Sequence, residues 1–333
     1  MKLAFLFAGQ GSQHAGMGAD LYGAYPAFAS VIDAAAGRLD FDLKRLMFED
    51  PEGILNQTEY TQPAMVAFAA GMTAVLREQG IVPEYVAGLS LGEYSALAAA
   101  GVFEPEQAIE LAAFRGRAMA GAAAGRDTAM VSVLGLGRED VEAAVAQASA
   151  DAAAAGDGVV EVSNYNCPGQ VVVAGDAPAV ERAVALAKEA GARRCIPLKV
   201  SGPFHTSLLA PAGEALRSRL ATERFGAMRV PVLFNCLGRE AHEGADGEDV
   251  PSLLERQVQS SVRMEDTIRR LEELGVDVIV EVGPGKVLSG LVRKTAPAIR
   301  CIPVETREDV EGLAEALAEL AASAPASVPE KEA

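Results

Sequence analysis

Gly88-Leu89-Ser90-Leu91-Gly92 is a G-x-S-x-G run between Tyr85–Leu89, which reads as a short buried strand, and Leu91–Ala100, which reads as a helix. A sharp strand-to-helix turn lifts a serine hydroxyl clear of a sheet, and flanking glycines let neighbouring backbone pass close by. The start of the helix also offers unpaired N–H groups to an oxyanion. Ser90 is therefore a candidate nucleophile, with a bystander role as a helix N-cap the competing reading. A serine nucleophile needs a base, and the chain holds three histidines. His242 lies in Glu240–Asp249, where five of ten residues are acidic, the composition of a solvated loop. His14 follows a Gly-rich turn and fits a surface or supporting position. His205, in Gly202-Pro203-Phe204-His205 just beyond a predicted strand, sits where loops at sheet ends carry function. It is the favoured base; a merely hydrogen-bonded loop histidine is the alternative.

Arg115 is the most informative charge. On a helix predicted over Glu104–Ala123 it shares a face with Leu111, Ala112, Ala118 and Met119. A guanidinium on an apolar stripe must find a partner, since a buried unpaired charge costs several kcal/mol. A structural Asp or Glu would serve, or snorkelling to solvent; so would a substrate carboxylate gripped in bidentate fashion. Gly116 leaves room for another segment, and Arg117 points to the opposite, solvated face. Two Gly-rich runs fail as nucleotide motifs. Gly9-Gln10-Gly11-Ser12-Gln13-His14 lacks the third glycine of a dinucleotide fingerprint, and Gly283-Pro284-Gly285-Lys286 lacks the Walker spacing. The first reads better as a loop offering backbone N–H groups and an amide near the serine.

These residues need elements to hold them. Lys2–Phe7 reads as a strand feeding the first Gly-rich turn, followed by helical patterns near 25–37 and 61–79, the second with Thr61 as N-cap and Pro63 near its start. Strand-then-helix alternation favours a parallel sheet covered on both faces. From Arg126 to about Leu198 the rhythm changes. Met130–Leu134, Val159–Ser163, Gln170–Ala174 and Cys195–Val200 read as strands, with helices over Asp140–Ala153 and Ala179–Ala190. That β-α-β-β-α-β order is a complete ferredoxin-like unit, small enough to be an inserted subdomain. Val230–Cys236, Val276–Val282 and Arg300–Val304 supply further strands. Residues 321–333, rich in Ala, Ser, Pro and Glu, read as a frayed C-terminal tail.

Composition narrows the function classes. The chain has 333 residues, 50% of them hydrophobic, enough for a sizeable core and against lasting disorder. Its densest apolar stretch, Ala64–Leu76, is too short to span a bilayer, and no cleavable signal precedes the first strand, so a cytoplasmic protein is expected. With 29 basic against 46 acidic residues the net charge is −17, which disfavours nucleic acid and anionic membranes as partners. Four scattered cysteines without a C-x-x-C pair suggest reduced thiols, and three scattered histidines leave no metal site in view.

Taken in order along residues 3–320, these segments resemble the malonyl-CoA:acyl carrier protein transacylase family. The likeness is carried by Gly9–Gln13, Thr61-Gln62-Pro63-Ala64, Gly88–Leu97, Arg115-Gly116, Asn164–Gln170, Gly202–His205 and Glu281–Lys286. It implies an α/β-hydrolase-like core with a parallel sheet, over residues 1–125 and 199–320, plus the ferredoxin-like insertion at 126–198. It implies that Ser90 is acylated, that His205 is its base, and that the main-chain carbonyl of Gln257 orients the imidazole. Backbone N–H groups of Gln10 and Leu91 would form the oxyanion hole, and Arg115 would hold the free malonyl carboxylate. Phe204 resembles the malonyl-selective members. Many members have histidine where Leu89 stands, so no role of a second imidazole applies here. The implied reaction moves malonyl from malonyl-CoA to the phosphopantetheine thiol of an acyl carrier protein, for fatty acid biosynthesis, with no cofactor or metal; nothing in the sequence suggests an oligomer, so a monomer is the default expectation. A serine thioesterase or esterase acting on acyl-CoA, a polyketide-pathway acyltransferase and an inactive scaffold are the alternatives. An acidic carrier would need local basic patches to outweigh the global charge. Lys188, Arg193, Arg194 and Lys199, with Lys286, Arg293 and Lys294, are candidates, or else ordinary solvated charges.

Overall fold

Leu3–Phe7 (β1) consists of five apolar residues, all buried, and such an unbroken apolar run suits a strand covered on both faces. A computed structural model, describing residues 1–242 and 244–323, puts β1 inside a six-stranded sheet. Its neighbours are Tyr85–Gly88 (β2) on one side and, on the other, the penultimate sheet strand Val278–Val282, each parallel to it. The intervening strands are Thr128–Leu134 (β3), Val160–Cys167 (β4), Gln170–Asp176 (β5), Arg194–Pro197 (β6), Val232–Phe234 (β7), Arg239–Glu240 (β8) and Val262–Arg263 (β9). Val278–Val282 is thus β10, and Arg300–Val304 is β11. The larger sheet runs β11-β10-β1-β2-β7-β8, parallel throughout except for the β8 edge. Alternate β1 side chains feed opposite layers: Phe5 and Phe7 join one core, Ala4 and Leu6 another.

The smaller sheet, β6-β3-β5-β4-β9, is antiparallel among its first four strands. Helices Arg138–Ala155 and Ala177–Glu189 follow β3 and β5, and with the sheet they enclose a separate apolar core around Val133, Ala148, Val173 and Val180. The β-α-β-β-α-β order expected for 126–198 is present, but the sheet does not stop there. Its fifth strand, β9, comes from outside that span and pairs in parallel with β4, Asn164 opposite Val262 and Tyr165 opposite Arg263. The ring of Tyr165 lies near two guanidinium groups, Arg138 at 3.8 Å and Arg263 at 5.7 Å. Arg138 also pairs with Asp266. The two sheets are therefore fastened to each other, and the cleft between them has fixed walls.

Several expected boundaries move. The helix expected from Thr61 runs over Thr58–Glu78. Thr61 does not cap it: from inside the first turns its hydroxyl donates to the carbonyls of Leu55 and Gln57. Pro63, lacking an N–H, sits within the helix at the loss of one backbone bond. The strand expected over Cys195–Val200 ends at Pro197; Leu198 still donates its N–H to the Met130 carbonyl of β3 at 2.9 Å, and Leu198 and Val200 line the cleft. The expected tail begins too early: the last helix, Arg307–Ser323, includes residues 321–323, and the rest of 321–333 lies outside the described residues. Among the described residues no helix is long and apolar enough to cross a membrane.

Candidate active site

The turn after β2 requires its glycines. A Cβ on Gly88 would lie 2.0 Å from the carbonyl carbon of Gly92, and one on Gly92 would lie 2.3 Å from the Phe7 carbonyl oxygen. Between them Ser90 adopts φ 52°, a left-handed conformation unusual outside glycine. The helix Gly92–Ala99 then begins at once. This bend delivers the Ser90 hydroxyl to His205, with Oγ 2.6 Å from Nε2. His205 is itself left-handed, at φ 61°, and 4% exposed.

His205 Nδ1 lies 2.8 Å from the Gln257 carbonyl oxygen. A carbonyl can only accept, so Nδ1 carries the proton and Nε2 is left to accept from Ser90. Burial, and then the positive charge of Arg115, push the His205 pKa down to about 4. The imidazole is therefore neutral, and able to take a proton, across the physiological range.

Arg115 is 1% exposed, so snorkelling is excluded. It also forms no ion pair among the described residues: Nη1 donates to the Gln62 side-chain oxygen at 2.8 Å, and Nη2 to that of Gln257 at 2.9 Å and to Ser90 Oγ at 3.1 Å. Those three bonds leave part of a five-donor group unused, and Nε is buried without a partner among the described residues. The ring of Tyr94 lies 5.5 Å away. Gly116 does admit a neighbour, since a Cβ there would lie 2.8 Å from the Thr58 carbonyl oxygen.

The first Gly-rich loop lies directly on the elbow: a Cβ on Gly9 would come within 2.5 Å of the Leu89 carbonyl oxygen. The backbone N–H groups of Gln10 and Leu91 make no hydrogen bond among the described residues, and both residues line the same cavity as Ser90. The Gln10 side chain donates to Thr58 Oγ1 at 3.1 Å, which fixes the loop from below. The cavity, about 300 Å³, is walled by Met119 and Phe204 from one side and by Met130 and Val172 of the smaller sheet from the other. Leu89, Leu198, Val200 and Val287 also line it.

Ser90, His205, Gln257, Arg115, Gln10 and Leu91 thus converge on one cleft. His14 does not join them; its exposed ring pairs with Glu305, which raises its pKa. His242 lies on an exposed loop. The seven candidate docking cations are all exposed, and none forms an ion pair among the described residues. Sequence reasoning missed Glu93 and Asn235, and gave Gln62 no role. Glu93 is fully buried, and burial pushes its pKa up to about 7. Asn235 is buried behind the elbow. Nothing local marks either residue; Glu93 is carried by the elbow helix, and Asn235 reaches the elbow because β7 pairs with β2.

Comparison with known proteins agrees with this geometry. Residues 4–318 match the acyl transferase domain family. A malonyl CoA-acyl carrier protein transacylase of Bacillus subtilis is 41% identical over 310 residues, 93% of this chain and 95% of the relative. The crystal structure of MCAT from Streptococcus pneumoniae superposes with a TM-score of 0.88 at 45% identity, over 95% of this chain and all of that one. A type II PKS acyl-carrier protein has been solved in complex with its malonyl-transacylase, and that structure superposes with a TM-score of 0.88 at 37% identity over 95% of this chain and 100% of that chain. An elbow serine, a buried histidine and full-length likeness of this kind leave one conclusion: the chain belongs to the malonyl-CoA:acyl carrier protein transacylase family of acyl transferases.

Proposed function

We propose that this chain transfers a malonyl group from malonyl-CoA to the phosphopantetheine thiol of an acyl carrier protein, through a malonyl ester on Ser90, and so feeds fatty acid biosynthesis. The observation that carries this reading is the Ser90–His205 contact at 2.6 Å beneath a buried Arg115 that has no carboxylate partner in the described protein.

In the first half-reaction His205 Nε2 takes the Ser90 proton while Oγ attacks the thioester carbonyl. The tetrahedral oxyanion is met by the N–H groups of Gln10 and Leu91; such a donor typically contributes about 3–4 kcal/mol. The C–S bond breaks, and the sulfur leaves as CoA thiol with the proton that His205 held. In the second half, His205 takes the proton of the carrier's thiol, the thiolate attacks the malonyl ester, and the proton returns to Ser90 Oγ. Arg115 grips the malonyl carboxylate and orients it. No cofactor is consumed, because one thioester is exchanged for another.

Residues 1–125 and 199–320 are read as an α/β-hydrolase-like catalytic core and 126–198 as a ferredoxin-like insertion, a division supported by the separate core of the smaller unit. The unpaired cations Arg193, Arg194 and Lys294 lie together beside the Pro168-Gly169 turn and would attract an acidic carrier despite the net charge of −17. The enzyme is taken to act as a monomer in the cytoplasm, in keeping with four free cysteines.

The test is to supply malonyl-CoA and a holo carrier protein and measure malonyl-carrier against free malonate, with intact-mass detection of malonyl-Ser90. Malonyl-carrier as the main product is expected. Dominant free malonate would make the chain a hydrolase, and absence of any adduct would make it a scaffold.

A further inference from the structure

Two side chains behind the elbow are buried and take no part in the proton transfers above: Asn235, 1% exposed at the end of β7, and Glu93, on the second residue of the elbow helix. The parallel register Ala87↔Leu233 carries Asn235 level with the turn. Its carboxamide spans that turn. Nδ2 donates to the Gly88 carbonyl at 2.7 Å, and Oδ1 accepts from the Ser90 N–H at 2.6 Å. The orientation is settled by chemistry, because an N–H can only donate and a carbonyl can only accept. Asn235 is held in turn at both backbone ends. Its N–H donates to Glu93 Oε2 at 2.6 Å, and its carbonyl accepts from the Arg263 N–H at 2.9 Å.

Ser90 occupies a left-handed conformation that a serine does not favour in isolation, so something must hold it. The flanking glycines permit the bend without fixing it. We propose that Asn235, seated by Glu93, is a positioning residue for acyl transfer: by clasping Gly88 and Ser90 it aims Oγ at His205, and by occupying the Ser90 N–H it leaves the Leu91 N–H as the elbow's free donor. This rests on the malonyl-Ser90 reading above. A displacement of the attacking atom by about 1 Å is enough to cost on the order of 100-fold in rate.

The experiment compares single-turnover acylation of Ser90 in the full chain by rapid-quench intact mass. Asn235→Ala is expected to acylate at least about 30-fold more slowly, with an endpoint still near one malonyl per chain and a half-saturating malonyl-CoA concentration within about threefold of the unaltered chain. Asn235→Asp gives a signature that loosened packing would not. As a neutral acid, Asp can still accept from Ser90 and donate to Gly88; ionised, it sets a charge against the Gly88 carbonyl. Lowering the pH from 8 to 5.5 should therefore recover at least about tenfold of its rate relative to the unaltered chain at each pH. That ratio cancels titrations the two chains share, those of Arg115, Cys236 and His205; Glu93 lies against residue 235 and couples to the new acid, so the acid recovery must persist when both chains carry Glu93→Gln.

A fluorophosphonate supplies the independent arm: Ser90 Oγ bonds to phosphorus, fluoride leaves, and His205 accepts the serine proton, with no malonyl recognition involved. A chain labelled by it but inert to malonyl-CoA would refute the malonyl reading, and the Asn235 comparison would then be read from labelling rates. Rates within threefold of the unaltered chain in both variants, a loss confined to the endpoint, or no acid recovery in Asn235→Asp would each overturn the inference.

Discussion

The two sheets enclose one cavity but contribute different chemistry to it. The elbow after β2 brings Ser90 and, behind it, Glu93, and the helix Pro105–Ala123 brings Arg115, whereas His205 comes on the segment that leaves β6 of the smaller sheet for the helix Ala210–Leu220. The antiparallel sheet brings only apolar and amide side chains, Met130, Val172, Asn164 and Asn166. Parallel strands all end on the same side, so their loops converge there and can gather distant residues into one constellation. A small sheet packed against two helices has one open face, and here that face forms a wall. The comparison teaches that the strands of the second sheet contribute to fit with the acyl donor, whereas the reacting groups come from the elbow of the first sheet and from the connection that returns from β6.

The comparison can be broken most decisively at the elbow. Ser90→Ala should gain no malonyl mass, and His205→Ala should reduce transfer by roughly 10⁴-fold or more. Retention of appreciable turnover in either would move the chemistry elsewhere. Gly88→Ala should fail more broadly, because its Cβ would lie 2.0 Å from Gly92 backbone. A clear drop in melting temperature together with loss of Ser90 acylation is expected, and a stable, active variant would contradict the turn's requirement for glycine.

Arg115→Gln should leave Ser90 reactive but lower the preference for malonyl over acetyl donors by roughly 100-fold, the scale of a charge-assisted hydrogen bond. It should also alter the pH profile. With the His205 pKa near 4, kcat/KM of the unaltered chain should be level above pH 5 and fall as the imidazole protonates near pH 4. Arg115 is one of the two causes that lower that pKa, so its removal raises the pKa and shifts the acid limb upward. A limb that stays in place would mean that burial alone sets it.

Smaller effects are expected from the other sheet. Val172→Ala should change KM for malonyl-CoA by less than about tenfold and leave kcat nearly untouched, as loss of uniform binding does. A larger fall in kcat would show the wall acting on the reacting atoms. Smallest of all, Arg194→Glu should raise KM for the carrier a few-fold at low salt, with the difference shrinking as salt is added.

Much of this site was legible because its residues announce themselves locally. Gly-x-Ser-x-Gly between an apolar run and a helix marks the elbow, since a Cβ on Gly88 would meet the Gly92 backbone four residues on. Arg115 was conspicuous because a charge on an apolar stripe has so few solutions. Gln62, Asn235 and Glu93 gave no such signal. Each acts across more than fifty residues of sequence, Gln62 on Arg115, Asn235 on the elbow and Glu93 on Asn235, and only strand pairing and helix packing bring them together. The misplaced Thr61 cap is the opposite case, a local signal overridden when Leu55 and Gln57 offered the hydroxyl better acceptors inside the turn.

Alone, the sequence determined where the chain must bend and which side chains could be reactive, since those follow from sterics and charge over short spans. The tertiary structure decided which nitrogen of His205 bears the proton, and that Arg115 is answered by amides, not by acids. It also decided that the smaller sheet borrows a strand from beyond its own segment. Those outcomes depend on which distant groups come within 3 Å of one another, a distance set by packing the whole chain at once.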